Sequence, residues 1–261
     1  MKNMEQVLDS KVMDRTLLIL DIFAARARTS EGKIQVELAQ LKYRASRLAG
    51  FGRSMSRLGG GIGTRGPGEK KLEIDRRLIG HRTAQLNREL KEVVRHRELT
   101  RSQRMKSHTK VAAIVGYTNA GKSTLLNTLT NAGVLEEDQL FATLDPTTRV
   151  LELENHQNLM LTDTVGFIRK LPHHLVDAFK STLEEAKYAD IIVHVVDASN
   201  PQMDAQMHVV YETLRQLGAE GKPVVTLFNK QDKVENPVNH KDLQADYSIA
   251  TSAKTGQGME A

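Results

Sequence analysis

The fold of the larger part of the chain is decided by residues 111–124, which read Val111-Ala-Ala-Ile-Val-Gly-Tyr-Thr-Asn-Ala-Gly-Lys-Ser-Thr124. The first five residues are apolar and predict a buried strand, and Leu125, Leu126 and Leu129 predict that a helix follows. Between strand and helix stands the pattern Gly-x-x-x-x-Gly-Lys-Ser over Gly116–Ser123. This order predicts a phosphate cradle, because the loop amides and the helix N-terminus point at one anion.

Two elements that can read a guanine base are predicted further along the chain. Asn229-Lys-Gln-Asp232 follows the apolar run Val224–Phe228, and the Asp232 carboxylate can accept both the N1–H and the N2–H₂ of guanine. Adenine lacks this pair of donors, so it would leave the carboxylate unpaired. Thr251-Ser-Ala-Lys254 is expected to point the backbone amide of Ala253 at the guanine O6. These motifs favour GTP and GDP over ATP.

The residues that would surround the phosphates predict a Mg²⁺-dependent GTPase site. Lys122 would reach the β- and γ-phosphate oxygens, and the Ser123 hydroxyl would bind Mg²⁺. Asp163-Thr-Val-Gly166 ends a predicted strand, so its carboxylate would support the Mg²⁺ ligands from behind and the Gly166 amide would contact the γ-phosphate. Hydrolysis would break that contact and release the segment, as in a nucleotide switch.

Three details of the same region bear on hydrolysis. Spacing leaves Thr143, Thr147 and Thr148 as candidates for the hydroxyl that completes the Mg²⁺ ligands. Phe167 stands where Ras-like GTPases carry a glutamine that orients water, and its ring has no hydrogen-bonding group, so slow intrinsic hydrolysis is predicted. Asn119 can supply an oxygen to a K⁺ ion beside the phosphates.

From Lys110 onward, apolar runs alternate with amphipathic stretches, which is typical of an α/β domain with a mostly parallel sheet and flanking helices. We predict a P-loop GTPase domain over residues 110–261, incomplete at its C-terminal end. The predicted strands are Val111–Val115, Thr148–Leu153, Asn158–Thr162, Ile191–Val196 and Val224–Phe228. The predicted helices are Lys122–Thr130, Leu175–Ala189 and Gln202–Leu217.

The preceding residues, 29–109, are predicted to form an α-helical hairpin, a short coiled coil. Apolar residues at helical spacing give one stripe from Ile34 to Leu48 and another from Leu72 to Val93. The glycine-rich segment 50–68 between the helices also carries arginines, so its backbone can approach a phosphate chain closely. A floppy connector is the alternative. The exposed face is expected to carry Arg82, Arg88, Lys91, Arg95, Arg97, Arg101 and Arg104.

The N-terminal residues 1–28 are predicted to be the remainder of an α/β subdomain, with the apolar run Arg15–Phe23 as a strand or the start of a helix. The chain has no cysteine, which excludes disulfides and thiolate metal sites. No apolar run approaches the ~20 residues that cross a bilayer, so no membrane span is predicted. We expect a cytoplasmic protein and a monomer.

The charge of the chain is divided unevenly. Residues 1–110 hold 25 Lys+Arg against 12 Asp+Glu, a net +13, and the remainder holds 12 against 20, a net −8, which gives the overall +5. A basic arm beside an acidic domain predicts that the arm contacts a polyanion such as RNA. Solvated helices that are rich in Lys and Arg and bind nothing are the alternative.

Several motifs of this chain closely resemble the HflX family of translation-factor-class GTPases, which is related to Obg. They are Gly66-Pro-Gly-Glu69 before Leu72–Arg77, Gly116–Thr124, Phe141-Ala-Thr-Leu-Asp145 and Asp163-Thr-Val-Gly-Phe-Ile-Arg169. The resemblance implies that Thr143 is the first-switch threonine. It also implies binding to the large (50S) ribosomal subunit, with the glycine-rich segment near the peptidyl-transferase region, and a role in splitting or rescuing stalled ribosomes under stress.

Motifs and resemblance together define the predicted site. Lys122, Thr143 and Gly166 are the predicted catalytic residues, and Ser123 and Thr143 are the predicted Mg²⁺ ligands. The predicted GTP contacts are Gly116, Tyr117, Thr118, Asn119, Ala120, Gly121, Lys122, Ser123, Phe141, Ala142, Thr143, Leu144, Asp145, Asp163, Thr164, Val165, Gly166, Asn229, Lys230, Gln231, Asp232, Ser252, Ala253 and Lys254. The alternative to a GTPase is a catalytically weak fragment that binds RNA or the ribosome and uses nucleotide only as a latch.

Overall fold

A computed structural model of the chain describes residues 2–10, 12–55, 67–105, 109–130, 141, 143–153, 156–169, 180–235 and 240–259. Its contacts divide the chain into two compact units, one formed by residues up to Thr100 and one by most of the chain from Arg101 onward. Each unit contains its own hydrophobic core. Within the described ranges, no helix combines the length and the apolar character needed to cross a bilayer.

In its described residues, the regular elements of the first unit are all helices. Its helices are α1 (Lys2–Leu8), α2 (Arg15–Arg26), α3 (Ser30–Met55) and α4 (Pro67–Met105), the last of which continues past Thr100. The apolar run that starts at Arg15 is therefore a helix and not a strand. Asp14 caps this helix, because its Oδ1 accepts the Leu17 amide at 2.8 Å and so satisfies an amide that lacks an intrahelical partner.

Helices α3 and α4 meet along the two predicted apolar stripes. Ile34, Leu38 and Leu86 are buried at the contact, and Leu41, Leu90 and Val93 pack against them. Both helices extend into the segment 50–68 that was predicted as a loop, since α3 continues to Met55 and α4 begins at Pro67. The rest of that glycine-rich segment, residues 56–66, lies outside the described residues.

One of the cations predicted on the exposed face of the hairpin is placed elsewhere. Arg97 donates through Nη1 to Glu31 Oε1 at 2.7 Å, and the two side chains are only 20% and 13% exposed. The prediction for Arg97 was wrong because its partner is 66 positions away in sequence, beyond the reach of a helical-spacing argument. Arg82 pairs with Glu37 while remaining half-exposed. Arg88, Lys91 and Arg95 are exposed, as predicted.

The second unit is a six-stranded sheet with flanking helices. Its elements are β1 (Lys110–Gly116), α5 (Lys122–Thr130), β2 (Thr147–Glu152), β3 (Asn158–Asp163), α6 (Lys180–Tyr188), β4 (Ile191–Asp197), α7 (Met203–Gln216), β5 (Val224–Asn229), a 3₁₀ turn (Gln231–Lys233) and β6 (Tyr247–Ala250). The strand order is β2-β3-β1-β4-β5-β6. Strand β2 runs antiparallel to β3, with Thr147 opposite Asp163, and the other pairs are parallel.

The predicted strands agree with these elements to within two residues, but β6 was not predicted. It is four residues long and lies at the sheet edge, where its exposed Tyr247 and Ala250 leave no continuous apolar run to detect. Predicted helix Leu175–Ala189 is observed as Lys180–Tyr188, and residues 170–179 lie outside the described part.

The sheet topology determines where a ligand can bind. β1 lies between β3 and β4, so the chain crosses to opposite sides of β1 and leaves a crevice at the carboxyl ends of these strands. Gly116, Asp163, Asp197 and Asn229 are the last residues of β1, β3, β4 and β5. Beneath them, apolar side chains of the strands pack on Leu125 and Leu126 of α5 and fix the strand ends in place.

Candidate nucleotide site

The loop between β1 and α5 passes close to its neighbours because glycine occupies its two motif positions. At Gly121, φ is +97° and an added Cβ would stand 2.3 Å from Asn229 Nδ2. At Gly116, a Cβ would stand 2.3 Å from the Val195 carbonyl oxygen. Neither site has room for a side chain, so the loop depends on glycine for its course.

Lys122 is held at the floor of this loop. Its Nζ donates to the Tyr117 carbonyl at 3.0 Å, and only 6% of the residue is exposed. Burial lowers the pKa of Lys122 to about 8, an effect that the nearby Asp163 carboxylate partly opposes. A phosphate group would supply the negative charge that this buried ammonium lacks.

Ser123, Thr143 and Asp163 meet at one point. The Ser123 hydroxyl donates to Asp163 Oδ2 at 2.7 Å, and the Thr143 hydroxyl donates to the same oxygen at 2.9 Å. The two hydroxyl oxygens are 2.8 Å apart. Of the three candidate threonines, Thr143 is the one placed beside Ser123 and Asp163, whereas Thr147 begins β2 and Thr148 contacts Thr162 at 3.0 Å.

The donor set at this point fits Mg²⁺. Hydroxyl and carboxylate oxygens are the ligands that Mg²⁺ prefers. Asp163 is fully buried, and its Oδ1 has no hydrogen-bond partner among the described residues. Burial raises the pKa of Asp163, while Lys122 and the two hydroxyls act in the opposite direction. A nearby cation would relieve the cost of this buried carboxylate.

Main-chain hydrogen bonds join the segment after Asp163 to the phosphate loop. Phe167 donates its amide to the Gly116 carbonyl at 3.0 Å and accepts the Thr118 amide at 2.8 Å. A Cβ on Gly166 would stand 2.7 Å from Thr118 Cα and 3.0 Å from Lys122 Nζ, so this glycine lies directly beside the loop.

Two of the predicted contacts in this segment, Thr164 and Val165, have their side chains enclosed by the protein. The Thr164 hydroxyl donates to the Ile114 carbonyl at 2.7 Å. Only the main chain of these two residues is left for a nucleotide. Motif spacing identified the segment but could not reveal which of its side chains the core encloses.

The guanine end is organised by Asn229. Its Nδ2 donates to the Ala120 carbonyl at 2.9 Å, and its Oδ1 accepts the Ala253 amide at 2.8 Å. The Ala253 amide was predicted to point at the guanine O6, whereas in this structure it donates to Asn229 Oδ1. Ala253 is also held from its other side, where its carbonyl accepts the Thr128 hydroxyl of α5 at 2.7 Å.

Asp232 stands exposed beside the same loop. The Ser252 hydroxyl donates to Asp232 Oδ1 at 2.7 Å, and this bond holds the pKa of Asp232 below its ordinary value, with smaller support from Lys254. An ionised carboxylate is the acceptor that a guanine N1–H requires. Gln231 turns away, since its Nε2 donates to the Phe228 carbonyl at 3.0 Å.

Lys230 links the two ends of the site. Its Nζ donates to the Asn119 carbonyl at 2.7 Å and to Asp197 Oδ2 at 2.8 Å. Asp197 was not among the predicted site residues. A signal for it existed, because Asp197 follows a buried apolar strand just as Asp163 does, and parallel strands bring such residues to one edge.

The remaining predicted contacts lie around the first switch. The Phe141 amide donates to the Thr118 hydroxyl at 3.2 Å, and Phe141 and Leu144 are buried. Asp145 is half-buried. Ala142 lies outside the described residues. The structure thus brings the phosphate loop, Thr143, Asp163 and both motifs predicted to read guanine to one edge of the sheet.

Two family models match this chain. Residues 26–104 match the one described as "GTP-binding GTPase Middle Region". Residues 111–230 match the one described as "50S ribosome-binding GTPase". The first match coincides with most of the helical unit and the second with the sheet up to the Asn229–Lys230 pair.

Curated relatives match over the whole chain. The GTPase HflX of Lacrimispora saccharolytica is 67% identical over 260 residues, which are 100% of this chain and 62% of the relative. The GTPase HflX of Escherichia coli K12 is 45% identical over 99% of this chain and 61% of the relative. The chain therefore spans about three fifths of the length of these relatives.

A solved structure of similar fold is a GTP-binding protein from Sulfolobus solfataricus in complex with GDP. It aligns with a TM-score of 0.59 and 29% identity over 95% of this chain and 69% of that chain. Together with the sequence relatives and the two matched regions, this similarity shows that the chain belongs to the HflX family of GTPases.

Proposed function

We propose that this chain binds GTP with Mg²⁺ and hydrolyses the nucleotide to GDP and phosphate. The observation that carries the proposal is the convergence of the Ser123 and Thr143 hydroxyls on the buried Asp163 carboxylate beside Lys122. The names of the relatives and the GDP held by the similar archaeal protein support this reading. The domain division at residues 29–109 and 110–261 is part of the same proposal.

We propose a role for each residue of the site. Amides of the phosphate loop hold the β-phosphate, and the Lys122 ammonium neutralises charge between the β- and γ-phosphates. Ser123 and Thr143 would hold Mg²⁺, with Asp163 accepting from its ligands. The ion supplies positive charge to the phosphate oxygens as the γ-phosphate departs. Asp232 selects the guanine base.

The first-switch threonine and Gly166 would report the state of the nucleotide. Gly166 lies beside Lys122, and its amide could donate to a γ-phosphate oxygen, which GDP lacks. After loss of that bond the segment keeps its other contacts, among them the pairing of Phe167 with Gly116 and Thr118. Binding of GTP or GDP would in this way bias two arrangements of one segment.

Intrinsic turnover is proposed to be slow. The Phe167 ring is buried and has no group to orient the attacking water. Asn119 is exposed, and its side-chain oxygen can contribute to a K⁺ site next to the phosphates. Hydrolysis rates measured in K⁺ and in Na⁺ test this part, and equal rates would remove the K⁺ site.

Calorimetry and phosphate release test the central proposal. We expect GTP and GDP to bind, ATP to bind far more weakly, and Mg²⁺ to strengthen GTP binding. Ser123→Ala should remove the Mg²⁺ effect. Thr130→Ala at the far end of α5, whose hydroxyl donates to the Leu126 carbonyl of its own helix, is the matched control. Binding of ATP as tight as that of GTP would refute the proposal.

The large ribosomal subunit is the proposed macromolecular partner, and ribosome splitting or rescue under stress the proposed role. Supporting observations are the printed description of the matched family model and the exposed cations Arg88, Lys91 and Arg95 on α4. Exposed cations along one helix suit the phosphates of RNA. We propose a cytoplasmic monomer for this work.

Co-sedimentation with large ribosomal subunits tests the partner. Binding should be stronger with a non-hydrolysable GTP analogue than with GDP. Replacing Arg88, Lys91 and Arg95 by Gln should weaken binding and flatten its salt dependence. A variant with Arg215→Gln and Lys241→Gln, exposed cations of the sheet unit, is the control.

The second candidate function is a nucleotide-gated RNA-binding fragment that turns over little GTP. The basic character of residues 1–110 beside the acidic remainder of the chain supports this second candidate. Under this alternative, Lys122→Met abolishes nucleotide binding but leaves RNA affinity intact, and ribosomes do not raise phosphate release. Ribosome-stimulated phosphate release that disappears in Lys122→Met decides for the enzyme.

A further inference from the structure

We propose that Asp197, a residue outside the four sequence motifs, is a positioning residue that holds the guanine end and the phosphate end of the site in register through Lys230. This inference rests on the GTP binding proposed above. It adds a residue that neither motif spacing nor the description of the matched family assigns.

The Asp197 carboxylate is fixed from both of its oxygens. Oδ2 accepts from Lys230 Nζ at 2.8 Å, and Oδ1 accepts from the amide of Ser199 at 3.1 Å and from its hydroxyl at 2.6 Å. The Lys230 and Asp197 side chains are 17% and 13% exposed. An ion pair this well enclosed loses little to solvent screening, unlike a surface pair.

Lys230 connects Asp197 to the phosphate loop. The same Nζ donates to the Asn119 carbonyl at 2.7 Å, so one ammonium bridges β4 and the loop. Lys230 and Asn119 both adopt positive φ, at 65° and 62°. Left-handed backbone at a non-glycine residue is unfavourable and persists only where neighbouring contacts enforce it. The ionic bridge joins these two strained positions directly.

A purely electrostatic role and a positioning role of Asp197 predict opposite changes in nucleotide affinity when the Asp197 charge is removed. Removing the Asp197 charge makes the site more positive, and a simple attraction between charges would then strengthen binding of a polyphosphate. The charge of Lys230 already lowers the pKa of Lys122, so the two ammonium groups sense each other. If Asp197 acts by positioning, affinity falls despite the added positive charge, because Lys230 and the Asn119 carbonyl lose their fixed arrangement.

The bridge touches the groups that would hold guanine and the proximal phosphates but not the γ-phosphate contacts at Thr143 and Gly166. GTP and GDP should therefore weaken by the same factor. Turnover at saturating GTP should change little, since the bound transition state keeps its own contacts. Variants at Asp163 or Ser123 should instead discriminate between GTP and GDP.

The experiment measures Kd for GTP and for GDP, kcat at saturation and the thermal unfolding midpoint in the full chain. Asp197→Asn is isosteric and should weaken both nucleotides about tenfold. Asp204→Asn makes the same change of charge at an exposed position of α7, outside the bridge, and should bind both nucleotides like wild type. In a Lys230→Met background, Asp197→Asn should cause no further loss, because the bridge is already absent.

The outcomes are distinguishable. Unchanged or tighter nucleotide binding in Asp197→Asn would overturn the inference, as would a lower unfolding midpoint with unchanged Kd, which marks a structural role only. Asp197→Ala serves as the stronger perturbation, and Asp197→Asn keeps the test valid if the alanine variant does not fold. Wild-type protein that ignores guanine nucleotides would overturn the proposed function and this inference together.

Discussion

The Ser252 hydroxyl donates to Asp232 Oδ1 over 2.7 Å, and this bond joins the two motifs predicted to read guanine. It also holds the pKa of Asp232 below its ordinary value, so the carboxylate is ionised and oriented in advance. A preorganised acceptor spends less free energy on ordering when a ligand binds.

Asp232→Asn should change the base preference of the site. An amide nitrogen at this position would face the N1–H and N2–H₂ donors of guanine, whereas xanthine offers a carbonyl oxygen at carbon 2. We expect GTP affinity to fall roughly a hundredfold or more and xanthosine triphosphate affinity to rise. Calorimetry with both nucleotides measures the exchange, with Asp204→Asn on the exposed side of α7 as control. Equal losses for both nucleotides would contradict base reading by Asp232.

Lys122 should take up a proton when nucleotide binds at alkaline pH. Its pKa is lowered to about 8 in the free protein, and phosphate oxygens favour the charged form. Between pH 8 and the ordinary value of 10.5, binding must therefore draw protons from the buffer. Calorimetry with GDP at about pH 9 in two buffers of different ionisation enthalpy detects this uptake. Buffer-independent enthalpies would show that Lys122 is already charged.

His194 should weaken the fold as the pH falls. It is 1% exposed on β4, and burial lowers its pKa although Asp242 Oδ2 stands 3.9 Å from its Nδ1. The unfolded chain, with a pKa near 6.5, then binds more protons than the folded one, so stability present above pH 6.5 is lost below it. Urea unfolding from pH 5 to 8 should show this slope in wild type and a flatter curve in His194→Gln. The exposed His208→Gln should keep the wild-type slope.

Asp14 should contribute to stability through three partners. Besides capping α2, its Oδ2 accepts the Tyr43 hydroxyl and an Arg47 N–H, each at 2.6 Å. Asp14→Ala should lower the free energy of unfolding by about 2 kcal/mol, because α2 loses its N-cap and the Tyr43 hydroxyl loses its acceptor. Tyr43→Phe, which removes one hydrogen bond, should cost about 1 kcal/mol. Urea unfolding followed by circular dichroism gives the free energy of unfolding of both variants. Equal decreases in the two variants would show that the N-cap of α2 contributes nothing measurable.

Much of the sheet could be predicted because its strands are short apolar runs that end at motif residues. Gly116, Asp163 and Asn229 each end a strand, and parallel strands carry their carboxyl ends to one edge. Local periodicity therefore fixed both the elements and the place of the site. The apolar stripes of α3 and α4 were visible for the same reason.

What could not be predicted depends on contacts between residues distant in sequence. Arg97 pairs with Glu31 across 66 positions, and the Ala253 amide is taken by Asn229. In both cases the group has two possible partners, solvent or Glu31 for Arg97 and a base or Asn229 for the Ala253 amide. Tertiary packing determines which partner lies within reach. β6 escaped prediction because an edge strand of four residues is stabilised by pairing with β5 and not by its own composition.

The antiparallel pairing of β2 with β3 joins the two segments that we propose sense the nucleotide, those of Thr143 and Gly166. Thr147, four residues after Thr143, stands opposite Asp163, and the pairing continues to Glu152 opposite Asn158. Both sensing segments thus emerge from the same end of a single hairpin. Because the hydrogen bonds between β2 and β3 couple the two strands, a displacement of one segment moves the other. We therefore expect loss of the γ-phosphate to release both segments together and to shift the opposite end of the hairpin.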